Sequence, residues 1–181
     1  TALALARHRD WEAVRAELDR IRYEGQDPAF NARRHLIVGQ WIDGLVASGV
    51  VEDITAEVGA EDTVWIDFEL TPERWRRRRV ARPLLLDAST IPHGTFRVPV
   101  ISIEKLLERT GRVPAGTIIN IVRDNVPWSP VLVTHQGIVI VSETDQRRTV
   151  RHASPVAKRV VDEPLKHMLR RYLRPRAWKI T

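Results

Sequence analysis

The chain has 181 residues, enough for one domain with a sizeable core and cramped for two. Its hydrophobic fraction of 43% is ordinary for a globular protein. No stretch comes near the roughly 18 uncharged apolar residues of a membrane span, and no signal-like segment is present. The balance of 29 Lys+Arg against 23 Asp+Glu leaves +6, carried almost wholly by arginine. That suits an anionic partner such as nucleic acid, a membrane surface or a carboxylate-rich peptide. With no cysteine, disulfides and thiolate metal sites are excluded within this segment, while the compartment stays open. The first residue is Thr and the sequence opens directly in ALALA, which reads as a cut.

Taken in order, Thr1 to Arg7 is small and apolar and predicts the tail of a buried helix. Asp10 is placed to cap a second helix, in which Trp11, Val14, Leu18 and Ile21 form an apolar stripe at spacings of three and four. Residues 25–28, Gly-Gln-Asp-Pro, break it. A third helix is predicted over 34–47, with Leu36, Ile37, Trp41, Ile42 and Leu45 inward and an end near Gly49. Residues 64–70 predict a strand, 80–99 an extended, proline-bearing excursion, and 103–109 one or two helical turns. The β-branched segments 117–123, 131–134 and 136–142 carry the strongest strand signals. Shorter strands are expected at 149–153 and 160–161. Pro164 then starts a helix with Leu165, Met168, Leu169, Tyr172 and Leu173 along one face, and residues 178–180 could close as a last strand. Helices first and antiparallel strands after give an α+β fold in a single domain over 1–181.

The densest cationic run is Arg74 with Arg76, Arg77, Arg78 and Arg79 around Trp75. A solvated helical face accounts for it. Nucleic-acid binding would want a recognisable module around such a run, and none is present, so no nucleic-acid partner is expected. An arginine-rich binder of nucleic acid or another anionic surface remains an alternative, marked by salt-sensitive binding.

Of six histidines, two sit where a side chain can be held rigidly. His135 lies between two apolar strand segments, and His152 lies where a neighbouring strand would return. An antiparallel pair can bring two such residues side by side. One imidazole could then take a nucleophile's proton while the other orients it. Gly137 would leave room for a substrate to approach the strand. On spacing alone, a half-buried strand histidine and a surface histidine near a turn explain the pattern as well. Two histidines without a carboxylate at ligand spacing make a poor zinc motif, so no metal is expected. His93 could line a cleft from the proline-bearing excursion, and His8 and His167 read as surface histidines.

Several segments, in order, resemble the N-acetylmuramoyl-L-alanine amidase-like family of the NlpC-type, papain-like cysteine peptidase superfamily. They are Leu18-Asp19-Arg20-Ile21-Arg22-Tyr23, Asn31-Ala32-Arg33-Arg34-His35 with Trp41-Ile42, and Gly116-Thr117-Ile118-Ile119-Asn120-Ile121-Val122. Thr134-His135-Gln136-Gly137-Ile138-Val139-Ile140, Arg151-His152-Ala153-Ser154 and Lys158-Arg159-Val160-Val161-Asp162-Glu163-Pro164-Leu165 complete the set.

The resemblance implies a papain-like fold with N-terminal helices packed on an antiparallel sheet. It also implies hydrolysis of the muramoyl–alanine amide of peptidoglycan or muropeptides, without a cofactor, in the bacterial cell envelope. In this family a cysteine at the N-terminus of a buried helix attacks the carbonyl, its thiolate favoured by the helix dipole and an imidazole. His135 matches the catalytic base and His152 the residue that orients it. Tyr23, Arg33 and His35 match residues near the cleft, where substrate binding is expected, with the register of Arg33 against Arg34 open by one. Arg151 could fork onto a substrate carboxylate or merely pair with a neighbouring acid. Thr1 to Ala6 resembles the helix that continues from the family's nucleophile segment. The cysteine is therefore expected about one to two helical turns before Thr1, the chain being a truncated amidase domain inactive by itself. A non-catalytic cell-wall binding module is the alternative.

Overall fold

The computed structural model of the chain describes residues 9–25, 27–76, 86, 88–123, 125, 127, 129–142 and 145–173. The expected helix over 1–7, His8, Arg77 to Arg79 and the expected strand at 178–180 lie outside the described residues. Helices are α1 (Trp11–Arg22), α2 (Ile42–Ala47), α3 (Thr55–Gly59), α4 (Pro72–Arg76), α5 (Ile103–Arg109) and α6 (Leu165–Tyr172). Strands are β1 (Thr63–Leu70), β2 (Gly94–Ile101), β3 (Ile118–Val122), β4 (Val133–Val141), β5 (Arg148–Ser154) and β6 (Arg159–Pro164). The fold is α+β as expected. β1 and β2 form a two-stranded sheet, and β3-β4-β5-β6 form a four-stranded one in chain order. The chain divides into two compact units, one of Thr1–Glu52, Glu69–Phe96 and Pro127–Val131, the other of Asp53–Phe68, Arg97–Val126 and Leu132–Thr181.

In the first unit, α1 begins where Asp10 accepts a hydrogen bond from the backbone N–H of Ala13, the expected cap. Val14 and Ile21 are buried against Leu45 of α2, with Leu18 and Trp41 beside them. Trp11, expected inward, is 62% exposed in the first turn of α1. The helix expected over 34–47 begins only at Ile42. The backbone N–H groups of His35 and Leu36 donate to the side-chain oxygen of Gln40, both at 3.0 Å, which holds that stretch extended. Gly39 adopts φ 88°, a left-handed turn that breaks any continuation. The chain returns to α1 through an antiparallel bridge between Tyr23 and Arg33. Arg34 Nη1 then donates to the carbonyls of Arg20 (2.8 Å) and Ile21 (3.0 Å), satisfying acceptors that a helix end leaves open. Arg74 and Trp75 are buried rather than on a solvated face, which corrects that expectation for both. The Arg74 guanidinium donates to the carbonyls of Ser129, at 2.6 Å, and Glu69. These two backbone acceptors hold the cation inward.

In the second unit, β3 to β6 are antiparallel throughout. The strands expected separately at 131–134 and 136–142 are one strand, β4, running through His135. Its continuity is disturbed by a bulge. Ile121 stands opposite His135 and Val122 opposite Val133, so Thr134 is an extra residue, and its hydroxyl donates to the Ile121 carbonyl at 3.2 Å. The proline-bearing excursion also ends sooner than expected, because Gly94 to Ile101 form β2. One face of the large sheet contributes Ile121, Val139 and Val150 to a core closed by Val58, Ile103, Val113 and the α6 residues Leu165, Met168 and Leu169. Leu173, expected on that same face of α6, is 38% exposed at the helix end.

Met168 is fully buried, so Met168→Ala should cost about 2–5 kcal/mol by denaturant titration, whereas Leu173→Ala should cost under about 1 kcal/mol.

Candidate active site

Alternation along β4 and β5 decides which side chains face α6. His152 shares a face with buried Val150, and its side chain is almost fully enclosed. On β4, His135 follows the Thr134 bulge and leads the inward series Gly137, Val139. Gly137 is the small residue that lets the two strands present large neighbours on one face. A β-carbon there would lie 2.3 Å from Val150 Cγ1 and 3.2 Å from His152 Cβ. The space expected to admit substrate is therefore taken by Val150 and His152, which is why only glycine fits.

The two imidazoles meet directly. His135 Nε2 lies 2.8 Å from His152 Nδ1, the rings 4.8 Å apart and nearly perpendicular. The other nitrogen of His152, Nε2, lies 2.8 Å from Glu163 Oε1 on β6. Glu163 reaches inward because β6 alternates: Val161 stands opposite His152, Glu163 opposite Val150, and Asp162 points the other way. Helix α6 then turns back over the acid. Arg171 Nη2 donates to Glu163 Oε1, and His167 Nδ1 stands 3.6 Å from Oε2. The ring of Tyr172 lies 6.5 Å from that of His135. Among the described residues no group of three or more His, Asp or Glu side chains converges in a way that could hold a metal ion.

Burial pushes the His135 imidazole below its ordinary value of 6.5, His152 and Arg171 push the same way, and Glu163 opposes them. Burial likewise raises the Tyr172 phenol. An imidazole kept neutral near pH 7 and held by a second hydrogen-bonded ring is equipped to accept a proton.

Sequence reasoning gives Glu163, Arg171 and Tyr172 no part in the site, although an acid at an inward position of a short strand is the available signal. His167 is exposed, as expected, yet it borders Glu163. Arg151 pairs with a neighbouring acid. It projects from the opposite face to His152 and forks onto Asp162, Nε to Oδ1 at 2.8 Å and Nη2 to Oδ2 at 2.7 Å. Tyr23, Arg33 and His35 belong to the first unit. Tyr23 is half-buried at the end of α1, with the Arg22 guanidinium 5.8 Å from its ring centre, and Arg33 is exposed. His35 donates through Nε2 to the Phe30 carbonyl at 2.7 Å and packs against that phenyl ring. The neighbouring Arg34, rather than Arg33, is the arginine engaged by the fold. His93 is exposed.

Gly137→Ala should lower stability by about 1–3 kcal/mol in thermal unfolding, since Val150 or His152 must shift. The depressed His135 value also has a pH signature. As pH falls below about 6.5 the unfolded chain takes up a proton that the folded chain refuses, so stability drops until the lowered folded value is passed. His135→Gln should remove that part of the pH dependence, measured by denaturant unfolding between about pH 7.5 and pH 5.

A search of curated proteins finds no match to the chain. Among solved structures, a Legionella pneumophila protein of the DUF1460 family superposes with a TM-score of 0.81 at 19% identity, covering 99% of this chain and 70% of that one. A Bacteroides fragilis protein named, provisionally, a xylanase gives 0.71 at 21%, covering 99% and 80%. An N-acetylmuramoyl-L-alanine amidase from Bacteroides uniformis gives 0.66 at 20%, covering 97% and 75%. At these identities the likeness is one of fold. The sequence model described as N-acetylmuramoyl-L-alanine amidase-like (AmiA-like) matches residues 1–173, and the chain belongs to that family.

Proposed function

We propose that the chain is the histidine-bearing part of a bacterial cysteine amidase of the NlpC-type, papain-like superfamily. It cleaves the amide between N-acetylmuramic acid and L-alanine in peptidoglycan or its fragments. The observation that carries this reading is the 2.8 Å contact between His135 and His152, in a member of an amidase-like family. The nucleophile is a cysteine about one to two helical turns before Thr1, on the helix that Thr1 to Ala6 resembles. His135 takes the thiol proton, and the thiolate attacks the lactyl carbonyl of muramic acid. The backbone N–H of the cysteine supports the oxyanion. His135 then delivers its proton to the alanine nitrogen as the C–N bond breaks. Water, deprotonated by the same imidazole, releases the thioester as the muramic acid carboxylate and restores the thiol. His152 orients His135 throughout.

Tyr23 and His35 are proposed to contact substrate, and Arg33 with them as an exposed cation suited to the stem peptide's carboxylates. Arg151 would do so only by leaving Asp162. No cofactor enters the proposal. The place of action is the cell envelope or outside the cell. Among the described residues no helix is long and apolar enough to cross a membrane.

One observation favours a second reading. These 181 residues contain no cysteine, which suits a cell-wall binding module without catalysis. The arginine-rich alternative loses support from Arg74, whose guanidinium is spent on backbone carbonyls. The deciding experiment uses the native protein, with whatever precedes Thr1, on purified muropeptides. Release of free stem peptide is expected, with His135→Ala and His152→Ala each lowering kcat/KM by about 10²–10⁴-fold. Binding without cleavage, or an upstream residue other than cysteine at that position, would establish the binding module instead.

A further inference from the structure

His135, His152 and Glu163 are joined end to end, and the placement of two hydrogens along them decides which nitrogen of His135 can act as a base. Glu163 is 12% exposed in its side chain, and its Oε1 receives both His152 Nε2 and Arg171 Nη2. A carboxylate held against a guanidinium offers only lone pairs, so His152 Nε2 carries a hydrogen. His152 Nδ1, 2.8 Å from His135 Nε2, then either accepts from a neutral ring or donates as an imidazolium. The His152 side chain is 1% exposed, and among the described residues the one negative charge beside it, Glu163, is already offset by Arg171, with His167 next to the other carboxylate oxygen. An imidazolium there would be a buried cation without a counter-ion of its own, which desolvation disfavours. Nδ1 of His152 therefore accepts and Nε2 of His135 donates.

We propose that Glu163, clamped by Arg171, is a positioning residue that sets the tautomer of both imidazoles, so that His135 keeps its hydrogen on Nε2 and presents Nδ1 as its basic atom. The groups that surround the pair are Glu163 from β6 and His167, Arg171 and Tyr172 from α6. None of the other three can replace Glu163. Arg171 has no acceptor, His167 stands beyond the carboxylate, and Tyr172 meets His135 only ring to ring. When His135 takes a proton on Nδ1, its existing Nε2–H bond to His152 is kept, so the ring charges without turning. The catalytic meaning of this arrangement rests on the amidase reading, whereas the tautomers themselves do not.

The test is long-range ¹H–¹⁵N correlation of the histidine rings in this chain, uniformly ¹⁵N-labelled, at mildly alkaline pH. Both His135 and His152 are expected as Nε2–H tautomers alone. Glu163→Ala should convert each single tautomer into a mixture with Nδ1–H, while Glu163→Gln, whose amide oxygen can still accept, should restore the single form. Arg171→Met should move the His135 titration midpoint upward, since a cation facing it is gone. Nδ1–H on either ring of the unaltered chain, or ring signals unchanged in Glu163→Ala, overturns the proposal. If the alanine variant does not fold, the tautomers of the unaltered chain still decide. These signals require no nucleophile, so a native protein inactive on muropeptides would sink the amidase reading and leave this one standing.

Discussion

A buried imidazole with two ring nitrogens must find two partners or leave a polar atom stranded, and His152 meets that demand on both sides. Its enclosure between β5 and α6 is tolerable because His135 satisfies one nitrogen and Glu163 the other. Glu163 in turn would be a poorly compensated acid without Arg171 from the last helix. The rest of the second unit is arranged around these requirements. Strands β4, β5 and β6 must be neighbours in that order, and α6 must return across the same face on which the imidazoles lie. A fold that broke any one of those placements would bury an unpaired polar group, at a cost comparable with much of a domain's net stability.

Apolar packing and polar placement meet at the same sheet face. Val139 and Val150 lie in the core with Leu165, Met168 and Leu169, and the histidines continue that face toward its edge. Gly137 is where the two demands collide, and removing its side chain resolves them by admitting Val150 and His152 together. The bulge at Thr134 does the complementary work on the other side of His135. It takes one residue out of the ladder with β3, so that His135 and buried Val133 need not obey a strict two-residue alternation. Local irregularity next to a rigid ladder thus aims the side chain, and burial then holds its imidazole in the neutral form.

Much of this was legible in the chain order of residue types. The Asp10 cap and the stripe of Val14, Leu18 and Ile21 announced α1, and β-branched runs announced the strands of the large sheet. His135 and His152 stood out because both sit in or beside such runs. Less readable were features that depend on partners remote in sequence. Arg74 belonged to a run that looks like a solvated face, yet a carbonyl at Ser129, far along the chain, draws it into the interior. The start of α2 slipped to Ile42 because Leu36 is extended and Gly39 turns left-handed, while Gln40 takes the N–H groups of His35 and Leu36. Trp11 follows the helical period of its neighbours and is exposed all the same.

By itself, the sequence determined the α+β class, the family, and the two histidines, because periodicity, residue type and motif order are local properties that one chain displays openly. Only the tertiary structure decided that those histidines touch, that Glu163 and Arg171 complete their hydrogen bonding, and that Arg151 turns away to Asp162. The reason is geometric. Which of two adjacent strand residues faces a site depends on register and bulges, and register is set by pairing between strands rather than by the residues of either strand alone.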